Sequence, residues 1–71
     1  MQPKKLIIVG NSLIAQIAYE YFTHDSDYDV VAFTVHREYI KDSHLCGAPV
    51  VAFEDVETLY PPADHAAHVA V

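Results

Sequence analysis

The chain has 71 residues and carries four Lys and Arg against ten Asp and Glu, a formal net charge of −6, with a single cysteine. A chain of this length supports one small domain that buries only about 60% of its unfolded surface, and four basic residues do not supply the clustered cations that neutralise polymeric nucleic acid. One cysteine leaves no intramolecular disulfide and predicts a reducing, cytoplasmic setting, and no segment approaches the roughly 20 apolar residues of a membrane span.

Residues 1–3 read as a lead-in to a first strand over residues 4–9. Leu6, Ile7, Ile8 and Val9 form a continuous, mostly β-branched apolar run, the pattern of a parallel strand buried on both faces. Gly10 ends it, and Asn11 or Ser12 is expected to cap a helix that runs to residue 22 or 23. Leu13, Ile14, Ile17, Ala18, Tyr21 and Phe22 recur at helical spacing and are expected to form its single buried stripe. His24, Asp25, Ser26 and Asp27 then supply turn chemistry. Residues 29–35, DVVAFTV, predict a second strand, parallel to the first because a helix connects them. His36 and Arg37 leave its C-terminal end, where open α/β sheets bind ligands.

Residues 41–48 are polar, contain Gly47 and are expected to be a loop. A short strand follows over residues 49–52, confined by Pro49 to an edge or a strand start. Val56, Leu59 and Tyr60 have helical spacing, with Glu54, Asp55 and Glu57 suited to the start of a short helix that Pro61 stops. Residues 66–71, AAHVAV, predict a last strand. The expected architecture is one α/β domain over residues 1–71, a small Rossmann-like parallel sheet in the order β-α-β-β-α-β, truncated after the last strand. Parallel sheets are covered on both faces, so the chain is expected to be the front of a larger protein or to meet a partner. A hydrophobic content of 52% agrees with that expectation.

The loop GNSLIA occupies the place of a G-x-G-x-x-G fingerprint but keeps only Gly10. Ala15 is an accepted third residue, whereas Ser12 puts a Cβ where the backbone approaches pyrophosphate, which argues against an intact dinucleotide. Backbone amides at the helix start still suit one phosphate, and a plain strand-to-helix turn is the alternative. His36 and Arg37 stand where a ribose-binding acid is expected; Arg37 suits a phosphate and His36 a ribose or base, or both are solvated loop residues. His36, His44, Cys46, His65 and His68 match no four-ligand zinc spacing, so no metal is expected. Ser12 reads as a cap, Glu54, Asp55 and Glu57 as acids on a solvated face, and Cys46 as a buried or inert thiol; no catalytic residue is expected.

KKLIIVG, the glycine turn, AYEYF, DVVAFTVHREYI, GAPVVAFEDVETLYPP and the last apolar run, in this order, resemble the N-terminal domain of bacterial left-handed β-helix (hexapeptide-repeat) sugar O- and N-acyltransferases, of the sialic-acid and bacillosamine acetyltransferase type. The resemblance implies a module that binds a nucleotide-linked sugar through Gly10, Asn11, Ser12 and Leu13, with His36 and Arg37 near the nucleoside. It implies a C-terminal β-helix domain that carries the catalytic histidine and the acyl-CoA (acetyl-CoA) site, so this chain alone would bind no cofactor and transfer no acyl group. Ser12, Ile14 and His36 depart from the family pattern, which often has a second glycine and a histidine in the first turn and an acid after strand two. The full enzymes of the family are expected to be trimers, and this domain is expected to be a monomer or to self-associate. The alternatives are an NAD(P)-binding half of an oxidoreductase and a structural or oligomerisation domain without ligand.

Overall fold

Leu6, Ile7 and Ile8 are buried, Leu6 and Ile8 in one core cluster with Ala15 and Ala18 and Ile7 on the opposite face, and their strand β1 (Lys4–Val9) is interior to a sheet, with β2 (Tyr28–Val35) on one side and β5 (His65–Val69) on the other. This is a computed structural model, which describes residues 4–70; the expected lead-in over residues 1–3, and Val71 of the expected last strand, lie outside the described residues. The sheet has five strands in the order β3-β4-β2-β1-β5, where β3 is His44–Leu45 and β4 is Ala48–Ala52. β4, β2, β1 and β5 run parallel, as expected, but β3 is antiparallel to β4, so the sheet is mixed rather than purely parallel.

The additional strand arises within the expected loop over residues 41–48. Cys46 (φ 53°) and Gly47 (φ 84°) both adopt the left-handed region, the requirement of a two-residue type I′ hairpin turn. His44 then pairs with Pro49 and Leu45 with Ala48, so β3 covers the outer edge of β4. Pro49, which has no N–H to donate, stands at the start of β4, before the residues that pair with β2. Cys46 is exposed rather than buried, and desolvation first, then the charge of Glu20, pushes its thiol up from the usual value, which lowers the reactive thiolate fraction.

α1 (Leu13–Asp25) starts at Ser12 as expected and extends two residues beyond position 23. Its end is stitched to β2 by Ser26, whose hydroxyl donates to the Phe22 carbonyl (2.7 Å) and accepts from the Tyr28 N–H (3.1 Å). The face turned to the sheet shares only Ala18 and Phe22 with the expected stripe. Ala15 and Ala18 are buried and Tyr19 and Phe22 pack with them, whereas Leu13, Ile14, Ile17 and Tyr21 are 69%, 54%, 60% and 56% exposed. At about 100° per residue the two sets lie on opposite sides of the helix. The alanines let the helix axis approach β1 and β2 closely, and Tyr19 and Phe22 flank them, the first against Phe33 (5.8 Å between ring centres) and the second against Tyr28 and His68 (5.6 and 5.0 Å).

β2 contains a bulge. Leu6 faces Val30 but Ile7 faces Ala32, so Val31 is the extra residue. The bulge keeps Tyr28, Val30 and Phe33 together in the core under α1, although an unbroken strand would turn Phe33 to the other face. Thr34 is buried and satisfied, its hydroxyl donating to the Val51 carbonyl at 2.9 Å. After β4 the chain makes a 3-10 turn (Phe53–Asp55) and one turn of α2 (Val56–Leu59), shorter than the expected helix over residues 54–60, before β5. No helix among the described residues is long and apolar enough to cross a membrane.

Two substitutions test this account. Gly10 has φ 132°, and a Cβ there would lie 2.5 Å from the Ala70 carbonyl oxygen; Gly10→Ala is expected to lower stability by about 2 kcal/mol or more in urea unfolding, and an unchanged midpoint would contradict the close approach. Cys46→Asn is expected to raise stability by about 0.5–1 kcal/mol, because Asn tolerates the left-handed region better; thermal unfolding checks the sign.

Candidate functional site

The C-terminal ends of β1 and β2 open onto a cavity of about 520 Å³ lined by Val9, Gly10, Asn11, Ser12, Val35, His36, Tyr39 and Phe53. Three short segments build it. Gly10 to Ser12 carry the chain from β1 into α1; a 3-10 turn (Arg37–Tyr39) follows β2; and Phe53 follows β4. The first is anchored by the Gly10 N–H, which donates to the Thr34 carbonyl at 2.8 Å, so the strand end and its neighbour are locked together beneath the turn. Ser12 has the extended backbone of an N-cap, and its carbonyl accepts the Gln16 N–H at 3.1 Å, but its hydroxyl makes no capping bond. The expected cap is therefore a backbone cap. Ser12 is among the residues that line the cavity.

Aromatic rings line the opposite side. The His36 ring lies 5.4 Å from Phe53 and 6.5 Å from Tyr39 between centres, both edge-on. Tyr39 and Phe53 are large and exposed, which in a small domain marks a surface suited to a flat apolar or aromatic ligand. Asn11 ties the two sides together: its side-chain N–H donates to the Tyr39 carbonyl at 3.0 Å. That bond fixes the amide so that its oxygen is the free end.

Of the six residues singled out in the sequence, Gly10, Asn11, Ser12 and His36 share this wall. Leu13 is on the exposed side of α1, and Arg37 turns elsewhere: its guanidinium donates to Asp55 at 2.9 Å and its backbone N–H to Glu54 at 3.3 Å. Glu54 also approaches His36, 3.8 Å from its Nδ1. Glu54 and Asp55 are thus exposed, as expected, and also neighbours of the β2 end. Val9, Val35, Tyr39 and Phe53 were not anticipated as lining residues. The one signal for Phe53 is its place just beyond a strand on the ligand side of the sheet.

The wall offers hydroxyl, amide, imidazole and backbone N–H groups, with no carboxylate or ammonium among its lining residues. Such a lining can bind and orient. No hydrogen bond among the described residues links Ser12 to a histidine, and no group of three or more His, Cys, Asp or Glu among them is placed to hold a metal ion. No family model matches the chain, and no curated protein or solved structure shows significant similarity to it.

Proposed function

We propose that this chain is a nucleotide-binding module on a Rossmann-like plan, the N-terminal part of a sugar acyltransferase of the left-handed β-helix class. In this reading it holds the nucleotide end of a nucleotide-linked sugar, while a separate β-helix domain supplies the acyl-CoA site and the catalytic histidine. The observation that carries it is the cavity itself: the start of α1, with an unspent Ser12 hydroxyl, faces a half-ring of His36, Tyr39 and Phe53 across the ends of β1 and β2. Helix-start N–H groups suit a phosphate and the rings suit a base. The parallel order β4-β2-β1-β5, with β1 central, also suits a Rossmann-like plan, since it reverses direction beside the strand that carries the glycine turn. Ser12 in the turn argues against the oxidoreductase alternative.

A second reading, an interaction domain without ligand, draws on one observation: Leu13, Ile14, Ile17 and Tyr21 form an exposed apolar side of α1.

NMR titration of the 71-residue chain with UDP-, TDP- and GDP-sugars, NAD and NADP separates these readings. Saturable shifts of the Gly10 to Leu13 amides with a nucleotide sugar are expected; binding of NAD alone, or of nothing, overturns the proposal. Phe53→Ala is expected to weaken the nucleotide sugar about tenfold by loss of stacking, with stability lowered by no more than about 1 kcal/mol because the residue is half-exposed.

A further inference from the structure

The two edges of the sheet are built differently. β3, at one edge, is two residues long, a short edge of the kind that discourages further pairing. β5, at the other, runs for five residues, pairs with β1 without a register shift, and contains no proline and no Lys, Arg, Asp or Glu. The Ala70 N–H donates to the Val9 carbonyl, and alternate residues along a strand turn their backbone groups to the same neighbour, so Ala66, His68 and Ala70 face β1. The backbone N–H and C=O of His65, Ala67 and Val69 therefore point away from the sheet, and no backbone bond among the described residues uses them.

The side of α1 next to this edge is apolar. Phe22 reaches both Tyr28 on β2 and His68 on β5, so α1 lies above β1 between them. Tyr21 meets Phe22 edge-on at 5.3 Å, which makes a row of rings from Tyr21 to His68, and Ile14 lies two turns before Tyr21 on the same side. Glu20 is on the other side, towards the β3–β4 hairpin, where its charge acts on Cys46. Leu13, Ile14, Ile17, Tyr21 and Val69 are each more than half exposed. At roughly 200 Å² for a large apolar side chain they present on the order of 600 Å², which the strand edge brings near the roughly 800 Å² per partner of a standard interface.

We infer that β5 pairs with β5 of a second copy of this chain, antiparallel about a two-fold axis at Ala67, to give a closed dimer with one continuous sheet. The outward groups of His65, Ala67 and Val69 then meet those of Val69, Ala67 and His65 of the second copy in about six hydrogen bonds. Sizes match across the pair, since Ala66 stands opposite His68 of the second copy on the α1 face. Charge favours a second copy at this edge above any other surface: the chain carries −6, yet the pairing sets no carboxylate against another. Asp64 meets Ala70 of the second copy, and Asp25 comes to the start of the second α1, whose dipole suits an acid. The two β1 strands stand three strand spacings apart, roughly 14–15 Å, so the α1 helices above them meet through Ile14 and Tyr21 rather than through close backbones. The inference is independent of the nucleotide-binding reading.

Sedimentation of the 71-residue chain tests it: the mass is expected to rise from 7.9 kDa to twice that as the concentration passes through about 10 to 1,000 µM. Val69→Lys puts a cation on the edge and is expected to weaken the dimer at least tenfold, and Tyr21→Ser about tenfold through lost apolar area. Both positions are exposed, and circular dichroism checks that each variant folds. Ala67→Cys in a Cys46→Ser background is expected to oxidise to a covalent dimer, because the two-fold brings these Cα atoms to about 5.5 Å; this cross-link decides if either variant fails to fold. A chain that stays monomeric throughout, which leaves the edge to a foreign strand or to none, overturns the inference. So do growth beyond two copies, a dimer that both substitutions leave unweakened, and a failure of Ala67→Cys to cross-link.

Discussion

The closest constraint in this fold is the approach of two backbones at Gly10. The Ala70 carbonyl oxygen lies 2.5 Å from where a Cβ of residue 10 would be, the Ala70 N–H donates to the Val9 carbonyl at 2.9 Å, and the Gly10 N–H donates to Thr34 on the other side. Three chain segments therefore meet at one residue with no side chain. The glycine of a strand-to-helix turn is usually explained by the ligand it admits; here the neighbouring β5 end already requires it. Everything at the ligand end of the sheet is positioned from this point, because Asn11, Ser12 and the start of α1 follow directly.

Charge organises the rest of the site. A net charge of −6 would disfavour any anionic ligand at long range, so a phosphate must be met by local dipoles rather than by the overall field. The described residues around the cavity differ in charge from one side to the other. The turn after β1 carries backbone donors and a hydroxyl, whereas the turn after β2 is bordered by carboxylates that hold the one arginine. The Asn11 to Tyr39 bond connects these unlike halves across the cavity, which makes their spacing a property of the fold rather than of a ligand.

Much of this was legible in the sequence because hydrophobic period changes where the elements change. The run Leu6 to Val9, the glycine, and DVVAFTV each had a single plausible local structure, and the strands lie within a residue or two of their expected bounds. The buried face of α1 was not legible: bulky Leu13, Ile14, Ile17 and Tyr21 dominate the pattern, whereas the helix rests on Ala15 and Ala18, whose value lies in being small. The β3–β4 hairpin escaped because Cys-Gly lacks the Asn or Asp that normally announces a type I′ turn. Asp55 and Arg37 are 18 positions apart, and no local pattern pairs them. Tyr39 and Phe53 were missed for the same reason, since only the adjacency of β2 and β4 brings their segments together.

The bulge at Val31 has a consequence for comparing this chain with others. Every residue of β2 beyond it has the opposite parity from that of an uninterrupted strand, including Val35, and His36 inherits that phase as the chain leaves the sheet. A relative without the bulge would need a one-residue gap between positions 30 and 32 to bring its strand end into correspondence. Aligned without the gap, it would set a neighbour against His36, and the acid or histidine at this end would be misassigned for a reason that lies five positions upstream.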